Sequence, residues 1–165
     1  MLEWRREEYC ISTDADALDV RFVHGFLRTA YWSLGVSRET VERSIQHSLC
    51  FGLYSGETQI GFARVVTDRA SFAYLADVFI TEANRGSGLG GWLIETILSH
   101  PELQGLRRWT LATRDAHGLY RRFGFRPLAD PSRFMEKRGS STAGDPADPE
   151  AGAVERAVAL KPGDE

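Results

Sequence analysis

Four glycines lie within six positions in the segment Arg85-Gly86-Ser87-Gly88-Leu89-Gly90-Gly91. Glycines let successive backbone amides turn inward and let a ligand approach the main chain closely. A helix opening at this loop adds unpaired N–H groups and a positive dipole end. The combination is an anion cradle suited to a phosphate or pyrophosphate, and Arg85 can add a charge-assisted contact. Asp77 stands in the apolar run Tyr74-Leu75-Ala76-Asp77-Val78-Phe79-Ile80, where an unpaired carboxylate is costly. It is therefore either a proton acceptor or ammonium anchor, or a structural carboxylate bonded to backbone or to Arg64. Tyr120 lies in Leu119-Tyr120-Arg121-Arg122-Phe123-Gly124-Phe125. A phenol with a pKa near ~10 keeps its proton at neutral pH and can give it to a leaving anion; the competing reading is a core tyrosine on an amphipathic helix. Tyr74 is a second candidate beside Asp77. Tyr31 and Trp32 follow the first helical pattern and suit either the wall of an acceptor site or packing under a loop.

The elements that position these groups alternate. A strand is expected over 9–12 and helices over 16–31 and 37–48, the second capped by Ser37. Strands over 50–54, 60–67 and 71–80, joined by the turns Ser55-Gly56 and Asp68-Arg69, read as an antiparallel meander. A helix follows over 88–100, ended by Pro101. Then come a strand over 108–112, a helix over 116–123 and short closing strands over 125–128 and 134–136. The fold class is α/β (α+β), with helices and a mixed sheet in one domain.

With 165 residues, 42% hydrophobic and 26% charged, the chain can bury a core without disulfides or metals. Residues 139–165 carry a charge of −4 and the rest +1. That stretch lacks aromatic residues and is expected to be a flexible acidic tail behind a single domain over 1–138. The net charge of −3 argues against a dedicated nucleic-acid partner. No apolar run is long enough for a membrane span, and no secretory signal is seen. Cys10 and Cys50 fall in no metal or redox spacing, and His24, His47, His100 and His117 in no metal spacing. A cytoplasmic protein without a metal is expected, either monomer or homodimer. Arginines 107, 108, 114, 121, 122 and 126 gather near the glycine loop and Tyr120; they suit phosphate attraction and a solvated face about equally.

Gly86-Ser-Gly88-Leu-Gly-Gly91 also matches the dinucleotide fingerprint G-x-G-x-x-G. Its context argues against that use: Thr81 to Arg85 separate it from the strand, it follows an antiparallel meander, and too little chain remains for a doubly wound sheet. Arg85-Gly86-Ser87-Gly88-Leu89-Gly90 instead resembles the R/Q-x-x-G-x-G/A motif of the GNAT superfamily of N-acetyltransferases. Ala116 with Leu119 to Phe125 is similar to that family's A-x-x-L/F-Y-x-x-x-G-F segment. The two motifs stand in the family's order, and the resemblance covers roughly residues 50–138.

The resemblance implies a mostly antiparallel sheet with a splayed parallel strand pair, and acetyl-CoA as cosubstrate. The backbone of Val78, Phe79 and Ile80 would pair with the pantetheine arm. Arg85, Gly86, Ser87, Gly88, Leu89, Gly90 and Gly91 would hold the pyrophosphate. Tyr120 would protonate the departing thiolate, and Tyr31 and Trp32 would wall the acceptor site; by their own place in the sequence, Asp77 is the candidate base and Tyr74 a further acceptor-site residue. The implied activity is acetyl transfer to an amine of a small molecule or peptide; a non-catalytic acyl-CoA sensor of the same fold is the alternative. Three positions depart from the family pattern: Gly91 replaces a frequent basic residue, Glu82-Ala83-Asn84 a proline-containing lead-in, and Thr113 an asparagine that bonds the coenzyme arm.

Overall fold

In the computed structural model, which describes residues 1–137 and Gly139, β1 (Glu3–Arg6), β2 (Tyr9–Ser12), β3 (Leu49–Ser55), β4 (Thr58–Thr67), β5 (Phe72–Ile80) and β6 (Arg108–Thr110) lie side by side in chain order. Every neighbouring pair is antiparallel except β5 with β6, which is parallel. The chain falls into two units, Met1–Pro131 and Ser132–Glu165; the expected acidic tail lies outside the described residues apart from Gly139.

Side-chain alternation along β4 divides the core between the two faces of the sheet. Phe62 joins Val23, Leu27, Val41 and Ile45 of α1 (Val20–Leu27) and α2 (Arg38–Gln46). Its neighbours Ala63 and Val65 join Leu93, Ile94 and Ile97 of α3 (Leu89–Leu98). Asp19 and Ser37 cap α1 and α2, their side chains accepting from the amides of Phe22 and Thr40. The β4–β5 turn is built on Asp68, whose carboxylate accepts from the amides of Ala70, Ser71 and Phe72 and from the Ser71 hydroxyl. These bonds, led by the Ser71 hydroxyl, favour the charged form and hold the Asp68 carboxyl well below the usual range.

Several sequence expectations change. β1 is an unforeseen strand: its charged residues mask a half-buried Trp4, which packs near Phe51 and His100. The first helix is shorter than 16–31, and β6 stops at Thr110 rather than 112. The closing strands over 125–128 and 134–136 are not formed. Pro127 lacks the donor a ladder needs, and the 134–136 run is three residues long with Met135 97% exposed. Between β6 and these segments stands α4 (His117–Arg121). Cys10 and Cys50 are free, buried thiols.

Candidate active site

The site forms where β5 and β6 part. The two strands pair only from Phe72 to Tyr74 against Arg108 to Thr110, so the edge of β5 from Leu75 to Ile80 leaves its neighbour. On its other side β5 carries a bulge: Phe79 opposes Phe62 and Ala76 opposes Arg64, leaving Asp77 and Val78 opposite Ala63. Asp77 sits at φ +54°, a left-handed conformation that Asp tolerates better than most residues. The extra residue re-aims the Asp77 side chain.

Each oxygen of that carboxylate accepts one hydrogen bond. Arg64 Nε donates to Asp77 Oδ2 at 2.7 Å, and Trp32 Nε1 donates to Oδ1 at 3.2 Å. The Asp77 and Arg64 side chains are 12% and 19% exposed, and Arg64 Nη1 also donates to Ser48 Oγ. The pairing of Asp77 with Arg64 that the sequence offered as the structural alternative is therefore present. Trp32 meets Tyr31 edge-on at 4.9 Å. The Tyr31 hydroxyl accepts from the Arg114 amide at 3.0 Å, and the Arg114 guanidinium lies 3.8 Å from the centre of the Tyr31 ring. The segment after α1 is thus tied to β5 at one end and to the segment after β6 at the other.

Below this tie lies a cleft of about 270 Å³ bordered by Tyr31, Trp32, Tyr74, Asp77, Asp115 and Tyr120. Tyr120, on α4, is 9% exposed and meets Phe125 edge-on. Burial, with smaller contributions from Tyr31 and Asp115, pushes its phenol up to about 12, so it remains protonated. Thr113 Oγ1 accepts from the Ala116 amide and so closes the turn before α4.

The glycine loop adjoins the same strand. After a single 3₁₀ turn (Glu82–Asn84), Arg85 Nε donates to the Ile80 carbonyl at 3.0 Å, which fixes the loop against the end of β5. Gly86 and Gly88 have φ values of +87° and +81°, conformations that disfavour other residues. Gly88 caps α3 without any side-chain bond, leaving the first-turn amides to a ligand. A β-carbon at Gly86 or Gly88 would meet nothing within 4 Å. At Gly91 it would lie 3.3 Å from Arg122 Nη2. The missing side chain at 91 therefore makes room for a cation delivered from the end of α4.

The structure places the predicted residues in two adjoining groups. Tyr31, Trp32, Tyr74, Asp77 and Tyr120 share the cleft, while Arg85 to Gly91 form the loop at the end of β5. Phe79, Ile80 and Leu89 bury their side chains and offer only backbone; Phe79 stacks on Phe26 with ring centres 3.7 Å apart. Sequence reasoning missed the Trp32–Asp77 bond, the stacking of Arg114 on Tyr31 and the position of Asp115 at the cleft. The Tyr31–Arg114 contact joins residues 83 apart, and no local pattern signals it. Among the described residues, no group of His, Cys, Asp and Glu could hold a metal ion, and no helix is long and apolar enough to cross a membrane.

These features agree with the comparisons. The family described as acetyltransferase (GNAT) domain matches residues 46–127. A Gibberella zeae protein assigned as an acetyltransferase, FG08082, is 31% identical over 140 residues, covering 71% of this chain and 78% of its own. A crystal structure of a GNAT-family protein from Xanthomonas campestris pv. campestris, assigned as an acetyltransferase, is 45% identical. Its TM-score is 0.77, and the match covers 79% of this chain and 93% of that one. A GNAT-family acetyltransferase from Elizabethkingia anophelis, solved with acetyl-CoA bound, shares the fold at 14% identity and a TM-score of 0.57, covering 73% and 78% of the two chains. The chain belongs to the GNAT acetyltransferase family.

Proposed function

We propose that the protein is an acetyl-CoA-dependent N-acetyltransferase acting on an amine of a small molecule or peptide. The observation that carries this reading is the fork itself: an unpaired edge of β5 runs from a buried phenol to an uncapped helix start. An amide-rich arm ending in a pyrophosphate needs such an edge followed by such a cradle. The Elizabethkingia anophelis relative, which carries acetyl-CoA, supports the same choice.

Bound acetyl-CoA would supply a thioester whose acetyl group passes to a neutral amine as the C–N bond forms and the C–S bond breaks. Val78 and Ile80 would offer main-chain groups to the arm. The amides after Gly88, with Arg122 beside Gly91, would face the phosphates. Tyr120 holds a proton at the fork and gives it to the leaving sulfur; the proton shed by the new amide nitrogen returns through solvent to the phenolate, so the net products are amide and thiol. Asp77 positions Trp32 and neutralises Arg64, each of its oxygens accepting one of these bonds.

The test is release of free thiol from acetyl-CoA on adding primary amines, with the acetylated amine identified by mass. The reading predicts thiol and amide in equal amounts. Thiol release at the same rate with and without any amine would contradict it.

A further inference from the structure

We infer that the acceptor is a cationic amine that carries no carboxylate, held by Asp115 and the rings of Trp32 and Tyr74. This deepens the N-acetyltransferase reading and rests on it. Three charged side chains border the cleft: Arg64, Asp77 and Asp115. Arg64 and Asp77 cancel each other at 2.7 Å, and the spare oxygen of Asp77 is taken by Trp32. Asp115, exposed at the mouth, has no ion-pair or hydrogen-bond partner among the described residues. Arg114, its neighbour in sequence, is turned onto the Tyr31 ring and does not border the cleft. One negative charge is therefore left uncompensated.

The remaining wall has the same preference. Aromatic faces attract cations through their quadrupoles and repel anions. A ligand carboxylate would face Asp115 and the Trp32 and Tyr74 rings, with Arg64 already matched by Asp77 and Arg114 held on the Tyr31 ring. Asp115 and the rings gather the protonated form; the small neutral fraction in exchange with it is what attacks.

The test uses pairs of amines that differ only by a carboxylate: phenethylamine against phenylalanine, and 1,4-diaminobutane against ornithine. Binding to the full chain in the presence of CoA is followed by tryptophan fluorescence, and turnover by thiol release from acetyl-CoA. At least one amine should bind at least about tenfold more tightly than its carboxylated partner, a preference of the size that cation–π and charge contacts supply. Asp115→Asn should weaken that amine about tenfold with CoA affinity unchanged, and Asp115→Glu should restore most of it. If the amine binds in this Asp115-dependent way yet no thiol is released, the inference stands and the transferase reading fails. If phenylalanine or ornithine is the better ligand or acceptor, if Asp115→Asn leaves amine affinity unchanged, or if no member of either pair binds, the inference is overturned.

Discussion

Removing the Asp77 carboxylate would leave the Arg64 guanidinium four-fifths buried without a counter-charge. Breaking one side of such a pair costs more than the pair itself contributes, because the remaining charge stays desolvated. Asp77→Asn is therefore expected to destabilise the fold by about 3 kcal/mol, read as a lower urea midpoint at unchanged slope. It should also loosen Trp32 and so weaken acceptor binding more than coenzyme binding. Tyr120 makes a separate prediction through its protonation. An ordinary phenol would begin to lose its proton near pH ~10; burial moves that loss up to about 12. Since the protonated form is the active one, kcat should stay level through pH 10 on the alkaline side. A fall in kcat with a midpoint near 10 would show a phenol in an ordinary environment. Both roles were partly readable in the sequence, because an acid in an apolar run and a tyrosine within the later motif are local signals. The Arg64 pairing was among the readings the sequence offered; the Trp32 bond was not, because Trp32 comes from the segment after α1, and the bulge that turns Asp77 depends on β4.

At the scale of elements, the start of α3 joins stability to ligand binding. Gly88 adopts a left-handed conformation with open space around it. Gly88→Ala should thus cost about 1 kcal/mol through backbone strain alone. It should also lower acetyl-CoA affinity by roughly tenfold, because the same turn aims the first amides of the helix. Thermal unfolding together with titration of acetyl-CoA checks both effects; an alanine variant that keeps full affinity would remove the loop from the coenzyme site. The main helices and the meander were legible because apolar periodicity and turn residues agree: Ser37 caps its helix, and the Asp68 turn joins β4 to β5. The failures have a common cause. β1 is an edge strand whose pattern is mostly charge, and the run at 125–128 looks like a strand until Pro127 is weighed. The splay of β5 from β6 depends on where pairing stops, which neither strand encodes alone.

Across the whole molecule, His100, packed against Trp4 of β1 and Phe51 of β3, links the core to pH. It is 3% exposed, beside Trp4 and Phe51, and its Nδ1 accepts from the Glu102 amide. Burial is the main cause that holds its pKa below the ordinary value. The unfolded chain therefore takes up this proton first as pH falls through about 6.5. Stability from this residue is complete above that pH and declines below it until the folded form also protonates. The melting temperature of the wild type should drop more steeply between pH 7 and pH 5.5 than that of His100→Asn; equal slopes would mean the imidazole titrates alike in both states. None of this bears on the reaction, which needs the two halves of the fork together: loop and phenol lie in different motifs, and only the fold brings them to one strand edge. On the proposed function, this edge binds acetyl-CoA and Tyr120 serves the transfer and not the binding. The most direct measurement is Tyr120→Phe, with acetyl-CoA affinity by calorimetry and thiol release measured on the same preparation. The account predicts an affinity within about twofold of wild type and turnover lower by roughly 100-fold. Unchanged turnover, or loss of acetyl-CoA binding in a folded variant, would contradict it.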